Sequence, residues 1–252
     1  MKKLFWSILA ILLVFLASAA MADLLPQTYL KWSSQEGEML REQLRNPLPE
    51  RLAARKLKPG DPIFIRIFKE EALLELWMQP DGNGPFNLFS TYPICAMSGE
   101  LGPKLRQGDR QAPEGFYAVG LKQFNPHSRF HLSFNIGYPN AYDRGHGRTG
   151  NFIMVHGNCV SEGCFAMTDP YIEEIYGLGE QALKNGQPFF RVHVFPFRLS
   201  EQNLENHAGA AWLDFWRMLK PGYDYFEKHK TPPDIIVTGG AYVLSDKNAY
   251  PE

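Results

Sequence analysis

The chain has 252 residues, of which 44% are hydrophobic and 21% are charged, and its net charge at pH 7 is −1. This composition is ordinary for a globular protein, and it supplies enough apolar side chains for one sizeable core. The sequence has no long basic run of the kind that binds nucleic-acid phosphates, so no nucleic-acid partner is expected. The length fits one domain with added segments better than two full domains.

The first 22 residues have the pattern of a secretory signal peptide. Two lysines precede an apolar run over 4–17, and small residues follow, with Ala20 and Ala22 in an A-x-A pattern. The apolar run is shorter than the roughly 20 residues that span a bilayer, so we expect cleavage before Asp23. The alternative is an uncleaved membrane anchor. The prediction is an exported, periplasmic protein with no stable membrane span after signal cleavage.

Residues 23–60 are polar and mixed in charge, and they predict one or two helical pieces interrupted by Pro47 and Pro49. From Pro62 onward the apolar residues follow patterns typical of strands, with a hairpin turn over 80–85. The predicted strands cover 62–70, 72–79, 86–95, 115–120, 133–138, 152–157 and 188–197.

Two helices are predicted after these central strands. Asp169 fits an N-cap with Pro170 at the first helical position, and Asn185 and Gly186 end that helix. Ser200 caps a second helix with an apolar stripe on one face, which we interpret as a packing surface. The stripe consists of Trp212, Phe215, Trp216 and Leu219.

The pattern as a whole predicts a mainly β protein with flanking helices, either a β-sandwich or an α+β domain. A closing hairpin is expected around Gly239 and Gly240. The predicted organisation is a signal peptide over 1–22, a helical or linker segment over 23–60, a main domain over 61–200, and a C-terminal helical and hairpin extension over 201–252 packed on it.

The segment MVHGNCVSEGCFAM, residues 154–167, contains one histidine and two cysteines. One interpretation is a metal site formed by His156, Cys159 and Cys164. A structural zinc site usually takes four ligands with tight cysteine spacing, and the remaining candidate histidines are isolated in the sequence. Those candidates are His127, His131 and His146. No metal is therefore expected.

The cysteines allow two other interpretations. The chain has three, Cys95, Cys159 and Cys164, so at least one thiol stays unpaired within the monomer in an oxidising compartment. Cys159 and Cys164 can pair locally, or either can pair with Cys95. Alternatively, Cys164 is a nucleophile with His156 as its base. Gly163 then permits a tight turn that projects the thiol and directs backbone N–H groups at an oxyanion.

A strand that ends in His-Gly and continues into Ser-x-Gly-Cys, here residues 156–164, resembles the active site of the L,D-transpeptidase family with the YkuD-type catalytic domain. Residues 112–117 and 151–156 are similar to two further family motifs. Segments similar to the YafK-like branch cover 99–109, 140–144 and 219–226. The resemblance extends over residues 62–230. It implies a β-sandwich with mixed sheets plus C-terminal helices, with 61–200 as the catalytic domain.

By this resemblance, Cys164 attacks the carbonyl of an L,D peptide bond at diaminopimelate in a peptidoglycan stem peptide, giving a thioester. His156 is the base that takes the thiol proton and returns it to the leaving amine. We expect the Gly157 carbonyl to orient the imidazole, and backbone N–H groups near Gly163 and Cys164 to form the oxyanion hole. Ser161 hydrogen-bonds within the loop or to substrate. The resemblance implies no cofactor.

The sequence departs from the family pattern in three places. Glu162 stands where many members have a second histidine, residues 158–160 form a short insert, and no arginine closely follows Cys164. Arg106 and Arg144 are the candidates for the missing arginine's contact with substrate carboxylates. The alternative for both is an ordinary solvated arginine.

The identity of the acceptor leaves the function open. An amine acceptor makes the protein a transpeptidase, whereas water makes it a hydrolase that releases, for example, a wall-attached lipoprotein. A bond between Cys159 and Cys164 would instead leave an inactive wall-binding module. A bond between Cys95 and Cys159 leaves the Cys164 thiol free, and this pairing is our hypothesis.

Overall fold

The computed structural model describes residues 46–245. The predicted signal peptide over 1–22 lies outside the described residues, as do most of the segment over 23–60 and the end of the C-terminal extension. Between residues 46 and 245, no helix combines the length and apolar character needed to cross a membrane.

The described chain consists mainly of strands, with helices between and after them. The strands are β1 (Ile63–Phe68), β2 (Leu73–Met78), β3 (Asn87–Pro93), β4 (Ala96–Met97), β5 (Gly115–Val119), β6 (Phe124–Ser128), β7 (His131–Asn135), β8 (Met154–His156), β9 (Phe165–Ala166), β10 (Phe190–Phe195), β11 (Asp234–Thr238) and β12 (Ala241–Ser245). The α-helices are α1 (Leu48–Ala53), α2 (Ala141–Gly145), α3 (Asp169–Lys184), α4 (Glu201–Asn206) and α5 (Leu213–His229).

Two five-stranded mixed sheets form the body of the protein. The first has the order β3-β2-β1-β10-β5, in which β1 and β10 run parallel and the other neighbours antiparallel. The second has the order β4-β9-β8-β7-β6, in which β8 and β9 run parallel. Strands β11 and β12 form a separate hairpin. The predicted fold class, mainly β with mixed sheets and flanking helices, is confirmed.

Strand β1 is buried on both faces. Its three isoleucines belong to the main apolar core, which β7, β8, β9 and α3 also enter. On the opposite face, Phe64 packs on Phe226 and Phe68 packs on Tyr223, both from α5. The sequence alternates isoleucine with Phe64, Arg66 and Phe68 here because the C-terminal helix covers one face of the sheet and the core covers the other.

Helix α1 begins directly after Pro47 and has Pro49 in its first turn, where a proline sacrifices no helical hydrogen bond. The helical pieces predicted before these prolines lie outside the described residues and stay a prediction. One helix-boundary prediction is wrong. Thr168, not Asp169, is the N-cap of α3. The Asp169 carboxylate accepts the N–H of Asn158 at 2.7 Å, a partner outside its own helix.

The C-terminal extension contains two helices where the sequence predicts one. Ser200 does cap a helix, accepting the Asn203 N–H at 3.2 Å, but this helix is the short α4. The predicted apolar stripe lies on α5, after a break that contains Gly209. The hairpin around Gly239 and Gly240 is confirmed, and both glycines have positive φ. The domain boundaries themselves stay a prediction.

A buried ion pair fixes the loop over 99–112, which precedes β5. Lys69 Nζ donates to Glu114 Oε1 at 2.9 Å and to the Gly102 carbonyl oxygen at 2.7 Å. The other Glu114 oxygen accepts the Trp216 Nε1–H at 2.8 Å. The side chains of Lys69 and Glu114 are 2% and 0% exposed, so water does not compete for these hydrogen bonds.

We expect Glu114→Ala to lower the free energy of unfolding by about 3–5 kcal/mol, because it leaves the buried Lys69 without its counterion. Glu180→Ala removes the partner of Lys184 at the protein surface and is the matched control, with an expected cost of about 0.5 kcal/mol. Urea denaturation measures both values. Equally small losses would show that the buried pair does not anchor the fold.

Candidate active site

Strands β8 and β9 bring His156 and Cys164 together. The two strands pair in parallel with His156 opposite Ala166. Two residues back in this register, Cys164 lies beside Met154, whose N–H donates to Cys164 Sγ at 3.4 Å. Residues two apart in a strand share a face, so the side chains of His156 and Cys164 lie on the same face of the sheet.

The His156 ring is held in one tautomer. Its Nδ1 lies 2.6 Å from the Gly157 carbonyl oxygen, which can only accept, so Nδ1 carries the proton of the neutral ring. Phe130 covers the imidazole, with the ring centroids 4.9 Å apart. Burial lowers the pKa of His156, and the hydrogen bond to Gly157 opposes this shift. At neutral pH the ring is therefore uncharged, and its Nε2 is ready to accept a proton.

The Cys164 thiol is half-buried and uncharged in the same environment. Burial raises its pKa, while the Met154 N–H and the positive charge of Lys104 oppose the rise. The thiol donates to the Phe152 carbonyl oxygen at a Sγ–O distance of 3.6 Å. At neutral pH Cys164 is thus a thiol and His156 a neutral imidazole. For this thiol to attack a carbonyl carbon, a base such as the neutral His156 imidazole has to take its proton.

Ser161 shapes the turn that ends at Cys164. Its Oγ accepts the Cys164 N–H at 2.9 Å and donates to the Cys164 carbonyl oxygen at 2.7 Å. Gly163 has φ +104°, and a Cβ there would lie 3.2 Å from the Gln111 carbonyl oxygen, so the turn requires glycine. The Cys164 N–H expected in the oxyanion hole is thus occupied by Ser161. The Gly163 N–H has no partner among residues 46–245 and stays the candidate donor.

Gly157 occupies a space that no larger residue fits. A Cβ at this position would lie 2.5 Å from Asp169 Oδ1 and 3.1 Å from both His131 Cβ and Ile172 Cγ2. The same Asp169 oxygen accepts the Asn158 N–H. The missing side chain therefore lets the start of α3 approach the His-Gly turn and bind the backbone that follows it.

Cys164 opens into a pocket of about 380 Å³. Lys104 and Arg110, from the anchored loop before β5, line this pocket together with Phe152 and Glu162. Lys104 is buried and paired with the carboxylate of Asp109. Arg110 is exposed and forms no ion pair within the described part of the chain. The pocket therefore contains one guanidinium without an ion pair, together with the carboxylate of Glu162.

Neither arginine predicted from the sequence lines this pocket. Arg106 lines a neighbouring groove of about 500 Å³ together with Trp212. Arg144 is exposed and donates from Nη1 to the Pro139 carbonyl oxygen at 2.6 Å. A substrate-binding role of these two arginines stays a prediction, and Arg110 is the arginine that lines this pocket.

The structure joins Cys95 to Cys159, with the Cα atoms 5.2 Å apart, and leaves Cys164 as a free thiol. This is the pairing of our hypothesis, and it removes the local Cys159–Cys164 bridge as an alternative. Within residues 46–245, no three His, Cys, Asp or Glu side chains are placed to hold a metal ion. His131, one of the isolated candidate ligands, has its Nε2 2.7 Å from the Glu173 carboxylate.

Sequence reasoning missed Lys104, Arg110 and Phe152 as pocket residues. Lys104 lies in the segment over 99–109 that is similar to the YafK-like branch, and this similarity was the available signal. Nothing in the sequence distinguishes Arg110 from its neighbours. Phe152 has φ +53° and is 68% exposed, an unusual combination for a bulky side chain that the sequence alone does not reveal.

The structure thus places a histidine at the end of β8 and a free cysteine directly before β9, on one face of a mixed sheet. The sequence profile of YkuD, described as the L,D-transpeptidase catalytic domain, matches residues 62–192. The chain therefore belongs to the YkuD family of L,D-transpeptidase catalytic domains.

Within this family, the chain is similar to the protein named "Putative L,D-transpeptidase YafK" of Escherichia coli strain K12. The two are 48% identical over 186 residues, which are 74% of this chain and 75% of the relative. YafK of Escherichia coli O157:H7 gives the same values.

Solved structures give a weaker likeness. The helical cell shape determining protein Pgp2 from Campylobacter jejuni aligns with a TM-score of 0.43 and 17% identity, over 74% of this chain and 79% of Pgp2. A point mutant of Pgp2 aligns with a TM-score of 0.44 and 20% identity, over 69% of this chain and 63% of the mutant chain. Bd1075 of Bdellovibrio bacteriovorus aligns with a TM-score of 0.37 and 21% identity, over 69% of this chain and 63% of the Bd1075 chain.

We expect Gly157→Ala to lower the free energy of unfolding by about 1–3 kcal/mol, because its Cβ would overlap the Asp169 carboxylate. Gly177→Ala within α3 is the matched control, since a Cβ there meets nothing within 4 Å. This control is expected to raise stability by about 0.5–1 kcal/mol. Guanidinium denaturation compares them, and the same change in both variants would contradict the steric explanation.

Proposed function

We propose that the protein is an exported L,D-transpeptidase that acts on L,D peptide bonds at diaminopimelate in peptidoglycan, through an acyl-enzyme on Cys164. The observation that carries this proposal is the free Cys164 thiol on the same sheet face as His156, whose imidazole the Gly157 carbonyl holds in the base tautomer. Family membership supports the reaction class. The predicted signal peptide supports a periplasmic location, where the enzyme would meet its substrate.

The proposed first step forms a thioester. His156 Nε2 removes the Cys164 proton as the sulfur attacks the carbonyl carbon of the scissile bond. The carbonyl oxygen becomes an oxyanion, for which the unoccupied Gly163 N–H is a suitable donor. The carbon–nitrogen bond then breaks, the imidazolium returns its proton to the departing amine, and the acyl group remains on Cys164.

Arg110 is the residue that we propose for binding the substrate carboxylate. A stem peptide carries carboxylates close to its diaminopimelate residue, and the family arginine that follows the cysteine is missing in this sequence. Arg110 and Lys104 both line the pocket around Cys164, but Asp109 already pairs with Lys104. The planar guanidinium of Arg110 can bind a carboxylate with two parallel hydrogen bonds.

A hydrolase that uses the same acyl-enzyme is the second candidate. Residues 158–160 are exposed, and the loop between His156 and Cys164 is short, so the site admits water as well as a large acceptor. Water attack on the thioester gives a free acid and regenerates the thiol. The substrate of such an amidase would be a stem peptide or a lipoprotein attached to the wall.

Cys164→Ala is expected to lower turnover by at least about 1000-fold, because no other group in the pocket can form the thioester. Wild type and variant are incubated with free stem peptides and with intact sacculi that carry bound protein, and the products are identified by mass spectrometry. Lys184→Ala, a change at an exposed lysine of α3, is the matched control.

New cross-links or exchange of a terminal D-amino acid, absent with Cys164→Ala, would establish transpeptidation. Release of bound protein or of a terminal residue would establish the hydrolase. Equal products from wild type and Cys164→Ala would exclude both.

The acid limb of kcat/KM is expected to have its midpoint below pH 6.5, because burial lowers the pKa of His156 and the base must be unprotonated. Activity should therefore persist as the pH falls through the ordinary titration range of histidine, and it should be lost only below the pKa of His156. Initial rates with a free stem peptide between pH 4.5 and 8 measure this midpoint. A midpoint above 6.5 would show that a buried neutral imidazole is not the base.

A further inference from the structure

The loop between the two reacting side chains, residues 157–163, has a backbone conformation that needs support. Two successive non-glycine residues in it, Asn158 and Cys159, have left-handed backbones, with φ of +65° and +43°. A left-handed backbone conformation costs free energy at any residue that carries a side chain, and two such residues in succession are uncommon. The loop therefore keeps this shape only while contacts outside it hold it.

In the described chain, two hydrogen bonds and one covalent bond restrain the left-handed pair. The Asn158 N–H donates to Asp169 Oδ1 at 2.7 Å, and the Cys159 N–H donates to the Met167 carbonyl oxygen at 3.3 Å. Both donor residues are exposed, so water competes for these hydrogen bonds. The disulfide from Cys159 to Cys95 is the restraint that water cannot replace.

The disulfide connects this loop to the strand that follows Cys164. The Cys95 N–H donates to the Ala166 carbonyl oxygen at 2.8 Å, which fixes Cys95 against β9. The next two residues form β4, which pairs with β9. Cys164 immediately precedes β9. Cys159 is therefore held against the strand whose position also determines where the Cys164 thiol lies.

We propose that the Cys95–Cys159 disulfide is a positioning element of the active site, which holds the 157–163 loop so that His156 Nε2 and the Gly163 N–H face the Cys164 thiol. The enzyme is then fully active only in its oxidised form. This inference rests on the proposed role of Cys164 as nucleophile. It predicts inactivation by reductants, whereas a cysteine enzyme without such a bond is protected by them.

A phosphine reduces a disulfide without adding a thiol, so a change in activity can be assigned to loss of the Cys95–Cys159 bond. Reduction consumes one tris(2-carboxyethyl)phosphine and one water, which become the phosphine oxide, and the disulfide sulfurs become the thiols of Cys95 and Cys159. No added thiol is present to cleave a thioester on Cys164. Cys159 is exposed, so the bond is within reach of the reagent.

The test compares oxidised and phosphine-treated wild type at 25 °C, with complete reduction verified by mass. We expect kcat for a free stem peptide to fall at least 10-fold and KM to change less than 3-fold, with an unchanged far-UV circular dichroism spectrum. Reoxidation should restore kcat. The Cys95→Ser/Cys159→Ser double variant should have the low kcat of reduced wild type and no response to the phosphine.

An unchanged kcat after complete reduction, with only a lower melting temperature, would overturn the proposal. The disulfide would then stabilise the fold without positioning the active site. Loss of the circular dichroism spectrum on reduction, and in the double variant, would overturn it as well, because the bond would then hold the whole fold.

Iodoacetamide labelling of Cys164, followed by peptide mapping across pH, tests the same idea without turnover. Loosening of the loop should expose the thiol and move the labelling midpoint to lower pH, because burial is what raises the Cys164 pKa. The labelling result stands even if wild type turns over neither wall substrate. Failure of the proposed function and failure of this inference are thus distinguishable, and identical labelling profiles of the two forms would contradict the positioning role.

Discussion

The parallel pairing of β8 with β9 is the constraint on which the rest of the site depends. These strands have three and two residues, so they are too short to be stable without burial against the core. Val155 and Phe165, both fully buried, face the core and fix the register. A slip of one residue would exchange the two faces of a strand. The same packing that buries these apolar side chains therefore places His156 and Cys164 on the opposite face.

A buried ion pair supports the loop that carries the cationic residues of the pocket. The Lys69–Glu114 pair lies in the interior and ties down the loop from which Lys104 and Arg110 reach the pocket. The buried ion pair thus has a structural role, while burial keeps the proposed reacting pair, Cys164 and His156, neutral. An arrangement of this kind combines a rigid scaffold with groups that change charge only during the reaction.

The sequence predicts those parts of the site whose residues are close in the chain. The motif over 156–164 is contiguous, so its strand, turn and thiol follow from local rules. Arg110 and Arg106 lie four apart in an irregular loop, where sequence spacing does not show which side chain faces the pocket. The N-cap prediction for Asp169 is wrong because the Asp169 carboxylate binds the Asn158 N–H, a contact that only the tertiary fold creates.

The uncharged state of Cys164 has a consequence for the integrity of the protein itself. Disulfides are rearranged by thiolates, not by thiols. Cys164 is five residues from the bonded Cys159, so a permanently ionised sulfur at this position would be a nearby attacker of that bond. Burial, which raises the pKa of Cys164, suppresses this internal exchange. The fold thus keeps the three cysteines from exchanging their disulfide partners.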